Sequence, residues 1–218
     1  MTILRNPARR PARRRGVTLI EAVLFISIAL GLIVGGIVFF QQASTAQRTN
    51  DAVRNVSSLA SETRALYQSQ ENFAGVTEQT LIDAGAVPSS IVNNGQLRNE
   101  WGGSIELFPV NASGTADDGF MIVYTNAPVT ACTRLISFQA TGQGVLGSDI
   151  SHVRIIDNSA DVATARGLVQ AANWGDVGNA TDADGVTPGE AATFCSRDDA
   201  AGDDDQDNIV TFGVAFSR

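Results

Sequence analysis

The chain is 218 residues long with a formal net charge of −8, and it contains no lysine: all 15 basic residues are arginine. Six of those arginines precede residue 16 with no acid among them, so residues 17–218 carry nine arginines against 23 acidic residues, a formal −14. A surface of that sign excludes nucleic-acid binding through a broad basic patch.

The six leading arginines are Arg5, Arg9, Arg10, Arg13, Arg14 and Arg15, and a glycine, Gly16, separates them from an apolar run. From Val17 to Phe40 there are 24 residues whose only ionisable group is Glu21. As a helix they span about 36 Å at 1.5 Å per residue, enough to cross roughly 30 Å of hydrocarbon. The positive-inside rule keeps the N-terminus cytoplasmic and translocates everything after Phe40. A cleaved secretory signal is the competing reading, with Ser44-Thr45-Ala46 as its small-residue site. Its apolar core would be only about 7–15 residues long, which this run exceeds. An ordinary signal anchor leaves Glu21 unexplained, because a carboxylate inside an apolar span costs about 2.5–3.5 kcal/mol when central and is functional by default.

The segment Gly16-Val17-Thr18-Leu19-Ile20-Glu21 resembles the prepilin peptidase site of class III signal peptides, the hallmark of type IV pilins. The resemblance implies cleavage between Gly16 and Val17 on the cytoplasmic side and N-methylation of the new Val17 amine. It also implies that Glu21 pairs with the Val17 amine of the neighbouring subunit during assembly. A leader of 16 residues, and valine rather than phenylalanine at position 17, resemble the type IVb branch. The proline common partway along such helices is absent here, so a kink in a filament would have to come from Gly31 or the Gly35-Gly36 pair, each weakening a helix by roughly 1 kcal/mol relative to alanine. The absence of lysine excludes the covalently linked, sortase-built class of pilus.

Past the apolar run the helical pattern continues, with Val53, Val56, Ala60, Thr63 and Tyr67 at intervals of three and four and charged residues largely filling the rest. One helix from Val17 to about Gln70 is expected, roughly 80 Å long if straight. Gly75 ends the pattern. Thr77 to Ala84 reads as a short helix closed by Gly85 and stopped by Val87-Pro88. The Trp101-Gly102-Gly103 step resembles a loop of type IVb pilins and leads into a strand over Ser104 to Val110. Asn111 to Gly119 is a polar turn, with Phe120 to Tyr124 as the hairpin partner. Thr130 to Leu135 opens a short helix behind Pro128, Val153 to Ile156 is a third strand, Asp161 to Asn173 is helical in composition, and Ile209 to Phe216 is the last strand. Four short strands against one long helix make an α+β head.

Cys132 and Cys195 are the only cysteines, and in an exported head they are expected to form a disulfide, the alternative being two buried free thiols. The resemblance implies the same bridge, bounding the region 132–195. Closing so long a loop stabilises by roughly 4 kcal/mol in the chain-entropy view. The acidic segments 181–185 and 198–207 hold many oxygen ligands, but neither fits the EF-hand register, so solvated loops are expected rather than a calcium site. His152 is the only histidine. No phosphate loop, Cys/His metal spacing or nucleophile-base pair emerges, and neither an enzymatic activity nor a cofactor is implied.

Three parts follow: a leader over 1–16, a long N-terminal helix over 17–74 with 17–40 as membrane segment and filament core, and a globular head over 75–218. The resemblance implies a structural pilin that is held in the inner membrane as a precursor with its head in the periplasm, and then built into an extracellular pilus. Its partners would be further copies of itself, the prepilin peptidase, the membrane before assembly and the inner-membrane assembly machinery. A pseudopilin of a type II secretion machine and a low-copy minor pilin or adhesin are the alternatives.

Overall fold

The computed structural model describes residues 18–112, 115–137, 146, 150–156, 186–196 and 209–217. Packing divides the chain into two units, one up to Thr45 and one from Ala46 onward.

Helix α1 runs from Leu19 to Tyr67 without interruption, through Gly31, Gly35 and Gly36. In its first part the apolar side chains are exposed all round, Leu19 at 84% and Phe25 at 73% among them. None of the side chains in its most apolar stretch is buried, and the helix is long and apolar enough to cross a membrane. From Ala46 onward burial narrows to a stripe of Thr49, Ala52, Val56, Leu59, Ala60 and Thr63, the three-and-four spacing of a one-sided amphipathic helix. The expected stripe is thus displaced slightly around the helix: Val56, Ala60 and Thr63 lie in it, whereas Val53 and Tyr67 pack along its edge. Thr63 is buried without penalty because its hydroxyl donates to the Leu59 carbonyl at 2.6 Å.

The helix stops at Tyr67, a few residues before the expected end near Gln70. Residues 68–72, Gln-Ser-Gln-Glu-Asn, offer no apolar side chain to bury, and the chain turns instead, the Gln70 N–H donating to the Tyr67 carbonyl. The turn returns Phe73 to the core, where Tyr67, Phe73, Phe120 and Phe216 form a continuous run of ring contacts with centroids 4.9–5.7 Å apart. Arg64 reaches the same place from α1, its guanidinium over the Phe216 ring and donating to the Ser217 carbonyl.

Helix α2, Glu78–Asp83, is capped by Thr77, whose side chain accepts from the Thr80 N–H. A single 3-10 turn, Ser89–Ile91, then leads to a small hairpin of β1 (Val92–Asn93) and β2 (Gln96–Leu97) that the sequence reading did not foresee. The main sheet comprises β3 (Ile105–Val110), β4 (Gly119–Pro128), β5 (Ile150–Ile156) and β6 (Ile209–Ser217) in the order β3-β4-β6-β5, all antiparallel. These are the four expected strands, with β4 and β5 longer than their apolar patterns suggested. Pro109 is tolerated in β3 because β3 is an edge strand of this sheet.

Alternation along β4 serves two faces. Phe120, Ile122 and Tyr124 join the α1 stripe in one buried cluster with Leu107, Phe212 and Phe216. Met121 and Val123 point the other way and are buried with Phe108, Val110 and Ala215. Helix α3, Val129–Ile136, follows β4 directly, and α4, Pro188–Cys195, opens with a reciprocal capping box between Thr187 and Glu190. The sequence reading missed α4, although its Thr-Pro-Gly-Glu start is a helix-entry signal. The expected helix over Asp161 to Asn173 and both acidic segments lie outside the described residues.

Cys132 of α3 and Cys195 of α4 form a disulfide with a Cα separation of 6.0 Å across 63 residues, and both are buried. Replacing both cysteines with serine is expected to destabilise the head by about 2–5 kcal/mol, read as a lower urea midpoint of the full chain. An unchanged midpoint would mean that α3 and α4 are held by packing alone.

Candidate functional site

Among the described residues two places combine polar chemistry with an apolar setting, and the first is the start of α1. Thr18 precedes the helix, its hydroxyl accepting from the Glu21 N–H at 3.4 Å while its carbonyl accepts from the Ala22 N–H at 3.1 Å. Thr18 therefore acts as the N-cap and Glu21 sits in the first helical turn, where a carboxylate is favoured by the positive end of the helix dipole. The Thr-x-x-Glu spacing of a capping box was present in the sequence and passed unread. Glu21 is exposed, and no ion pair to it is formed among the described residues. Gly16 and Val17, the expected cleavage and methylation positions, lie outside the described residues.

The second place is the segment from Arg98 to Ser104, which joins α1 to the sheet. Asn99 is its hub. Its side-chain carbonyl accepts from the Trp101 and Gly103 N–H groups at 3.0 and 2.8 Å, and its side-chain amide donates to the Thr125 carbonyl at 2.6 Å. A backbone bond from the Asn99 N–H to the Gly103 carbonyl closes the loop, and Arg98 and Ser104 bridge its base. Gly103 passes so close to β4 that a Cβ there would collide with the Thr125 carbonyl. The Trp-Gly-Gly step thus has a physical reason: Trp101 packs partly buried against the core, and the glycine lets the loop lie flat on the sheet.

Glu100 faces α1 from this loop, accepting a hydrogen bond from the Asn55 side chain. It borders a hollow of about 320 Å³ that also touches Asp51, Arg54 and Arg98. Its second oxygen, Oε2, is buried with no hydrogen-bond partner among the described residues, and so is the hydroxyl of Tyr124. Burial raises the Glu100 carboxyl above its ordinary value; hydrogen bonds from its own backbone and from Asn55 oppose this, and the Asp51 carboxylate adds to it. Burial pushes the Tyr124 phenol well up, and the charge of Glu100 pushes it further. The Asp51–Arg54 ion pair beside them spans 3.7 Å and is exposed, which makes it worth little. None of this was legible before the fold, because nothing in the local sequence distinguishes Glu100 from a solvated glutamate.

His152 falls within β5, opposite Ala215. Among the described residues no group of three or more His, Cys, Asp or Glu side chains is placed to hold a metal.

The profile of the PilS N-terminal family matches residues 46–212. The chain is 27% identical over 192 residues to the "Major structural subunit of bundle-forming pilus" of Escherichia coli O111:H-, covering 85% of this chain and 90% of that protein. The same identity and coverage hold for the protein of that description from Escherichia coli O127:H6 (strain E2348/69 / EPEC).

Because the native head holds the Glu100 proton more tightly than the unfolded chain does, this group's contribution to stability is complete below the ordinary glutamate value of about 4.3 and is lost as pH rises through its raised native value. Glu100→Gln, which keeps the acceptor for Asn55, is expected to flatten that decline and to raise Tm at neutral pH by a few degrees. Thermal unfolding at acidic and neutral pH measures it, and an unchanged pH slope would show Glu100 to be solvated.

Proposed function

The chain belongs to the PilS N-terminal family, and from that membership we propose that it is the structural subunit of a type IVb-like pilus, assembled through its N-terminal helix. The observation that carries the reading is the pairing of an apolar, unburied first part of α1 with a disulfide-bonded α+β head that extends across the family match. The relatives it resembles are named as major structural subunits of a pilus. This favours a filament subunit over the pseudopilin and minor-pilin alternatives, and a structural role over an enzymatic one.

In this reading a prepilin peptidase removes residues 1–16 by cutting between Gly16 and Val17, and the Val17 amine is methylated. Glycine leaves the scissile bond unobstructed. The precursor lies in the inner membrane with its N-terminus cytoplasmic and its head periplasmic. The inner-membrane assembly machinery then draws the helix from lipid into the core of a filament that ends outside the cell. Burial among like helices keeps the apolar residues out of water, so self-association replaces the bilayer as their solvent. Glu21 meets the Val17 amine of a neighbouring copy, and pairing offsets the cost of holding either charge in a low-dielectric core.

Mass spectrometry of the mature protein is expected to find an N-terminus at Val17 carrying one added methyl group; an N-terminus at Gln47 would identify an ordinary secretory signal instead. Glu21→Ala is expected to give a processed protein that stays in the membrane, with the yield of sheared filaments reduced by at least about tenfold, the loss of roughly 1.4 kcal/mol or more per subunit addition. Normal filament yield from that variant would remove Glu21 from assembly.

A further inference from the structure

Asn94-Gly95 is the only Asn-Gly pair in the chain. It forms the two-residue turn between β1 and β2, with φ of 51° at Asn94 and 76° at Gly95, the left-handed pair that a tight hairpin requires. Both residues are exposed, and a Cβ at Gly95 would meet nothing within 4 Å. Neither the Asn94 side chain nor the Gly95 N–H has a hydrogen-bond partner among the described residues.

We infer that Asn94 is a site of spontaneous covalent modification, at which the side-chain amide closes onto the backbone nitrogen of Gly95 and is converted to aspartate and isoaspartate. The Gly95 nitrogen attacks Asn94 Cγ, the N–Cγ bond forms, the Cγ–Nδ2 bond breaks, and ammonia leaves with the proton that Gly95 gives up. Water then opens the cyclic imide at one carbonyl or the other, returning aspartate or routing the main chain through Cβ as isoaspartate. Water is the only co-reactant, and no electron is transferred. A following glycine matters because any side chain there would crowd the attacking nitrogen.

The turn must loosen for the nitrogen to reach Cγ, and the structure holds it weakly. β1 and β2 have two residues each and form a sheet of their own, and so short a hairpin is marginally stable and opens locally at low cost. Asp118-Gly119 offers the same backbone chemistry under opposite conditions. The Asp118 carboxylate accepts from the Ala112 and Thr115 N–H groups, and Gly119 is paired on both sides within the main sheet. That site is held closed.

Conversion would place a carboxylate on the rim of a hollow of about 450 Å³ lined by Asn93, Gln96 and Arg98. Arg98 now donates to Gln96 Oε1 at 2.8 Å, and a new anion four residues away competes for it. Isoaspartate adds one atom to the backbone, which a two-residue turn cannot accommodate while keeping the Asn93–Gln96 register. An ageing head would thereby change both charge and shape at this tip.

The test incubates the purified full-length protein at mildly alkaline pH, beside the same preparation reduced and unfolded in denaturant, and follows both by peptide mapping and by isoaspartyl methyltransferase labelling. The folded chain is expected to convert Asn94 within about tenfold of the unfolded rate, while Asn111, Asn126 and Asp118 stay unmodified. Conversion of Asn94 slowed by more than that, or isoaspartate arising at Asp118 as fast as at Asn94, would overturn the inference. Neither result depends on whether the protein forms filaments.

Discussion

One helix must satisfy two environments, and the rest of the structure depends on how its sequence divides between them. From Ala22 to Phe40 α1 carries apolar side chains on every face, with Ser27 as its one polar residue, a pattern that suits lipid or a ring of like helices and leaves nothing for a sheet to grip selectively. From Ala46 burial is confined to the stripe from Thr49 to Thr63, and most of the remaining positions are polar. Only a helix with one apolar side can define which way a sheet packs. The β4 and β6 residues Phe120, Ile122, Phe212 and Phe216 do so in one continuous cluster.

That packing alone leaves the loops and short helices of the head to be fixed by other means. The structure uses a different device at each place. At the helix end it is a run of aromatic ring contacts and Arg64. At the Arg98 to Ser104 loop it is a single buried amide, Asn99, whose side chain serves three backbone groups. Between α3 and α4 it is a covalent bond. The order follows the supply of apolar surface: where large side chains are available they suffice, and where a segment is short and polar a hydrogen-bond hub or a disulfide substitutes.

The sequence made legible those features that arise from periodicity. The long helix, the β3–β4 hairpin, β6 and the bridge between the two cysteines could all be read from spacing or from the type IV pilin resemblance. Features that depend on what lies opposite could not. Asn99 looks like any loop asparagine until Thr125 is brought against it, and the end of α1 was placed a few residues late because the polar run 68–72 is compatible with a helix unless one knows that no surface faces it. α4 and the β1–β2 hairpin are a different matter. Thr187-Pro188-Gly189-Glu190 and Asn94-Gly95 are local signals with a clear mechanism, and they were missed among stretches of low hydropathy where no apolar period drew attention.

Glu21 and Glu100 show why the two kinds of evidence are both needed. Each is a carboxylate near apolar surroundings, yet only Glu21 is conspicuous in the sequence, because it interrupts a run of 24 otherwise uncharged residues. Its side chain is exposed and forms no ion pair among the described residues, so whatever offsets its charge in a low-dielectric core must come from outside the described part of the chain. Glu100 stands between asparagine and tryptophan in a polar loop and announces nothing. Folding buries it beside Tyr124 with one oxygen unpartnered, and its cost falls on the head itself. In the proposed filament the first carboxylate has a cost that association relieves, whereas the second has a cost that only protonation or substitution can. On that proposal a subunit stable alone and then joined to others carries both without conflict, because one sits in the helix that would change environment and the other in the head that would not.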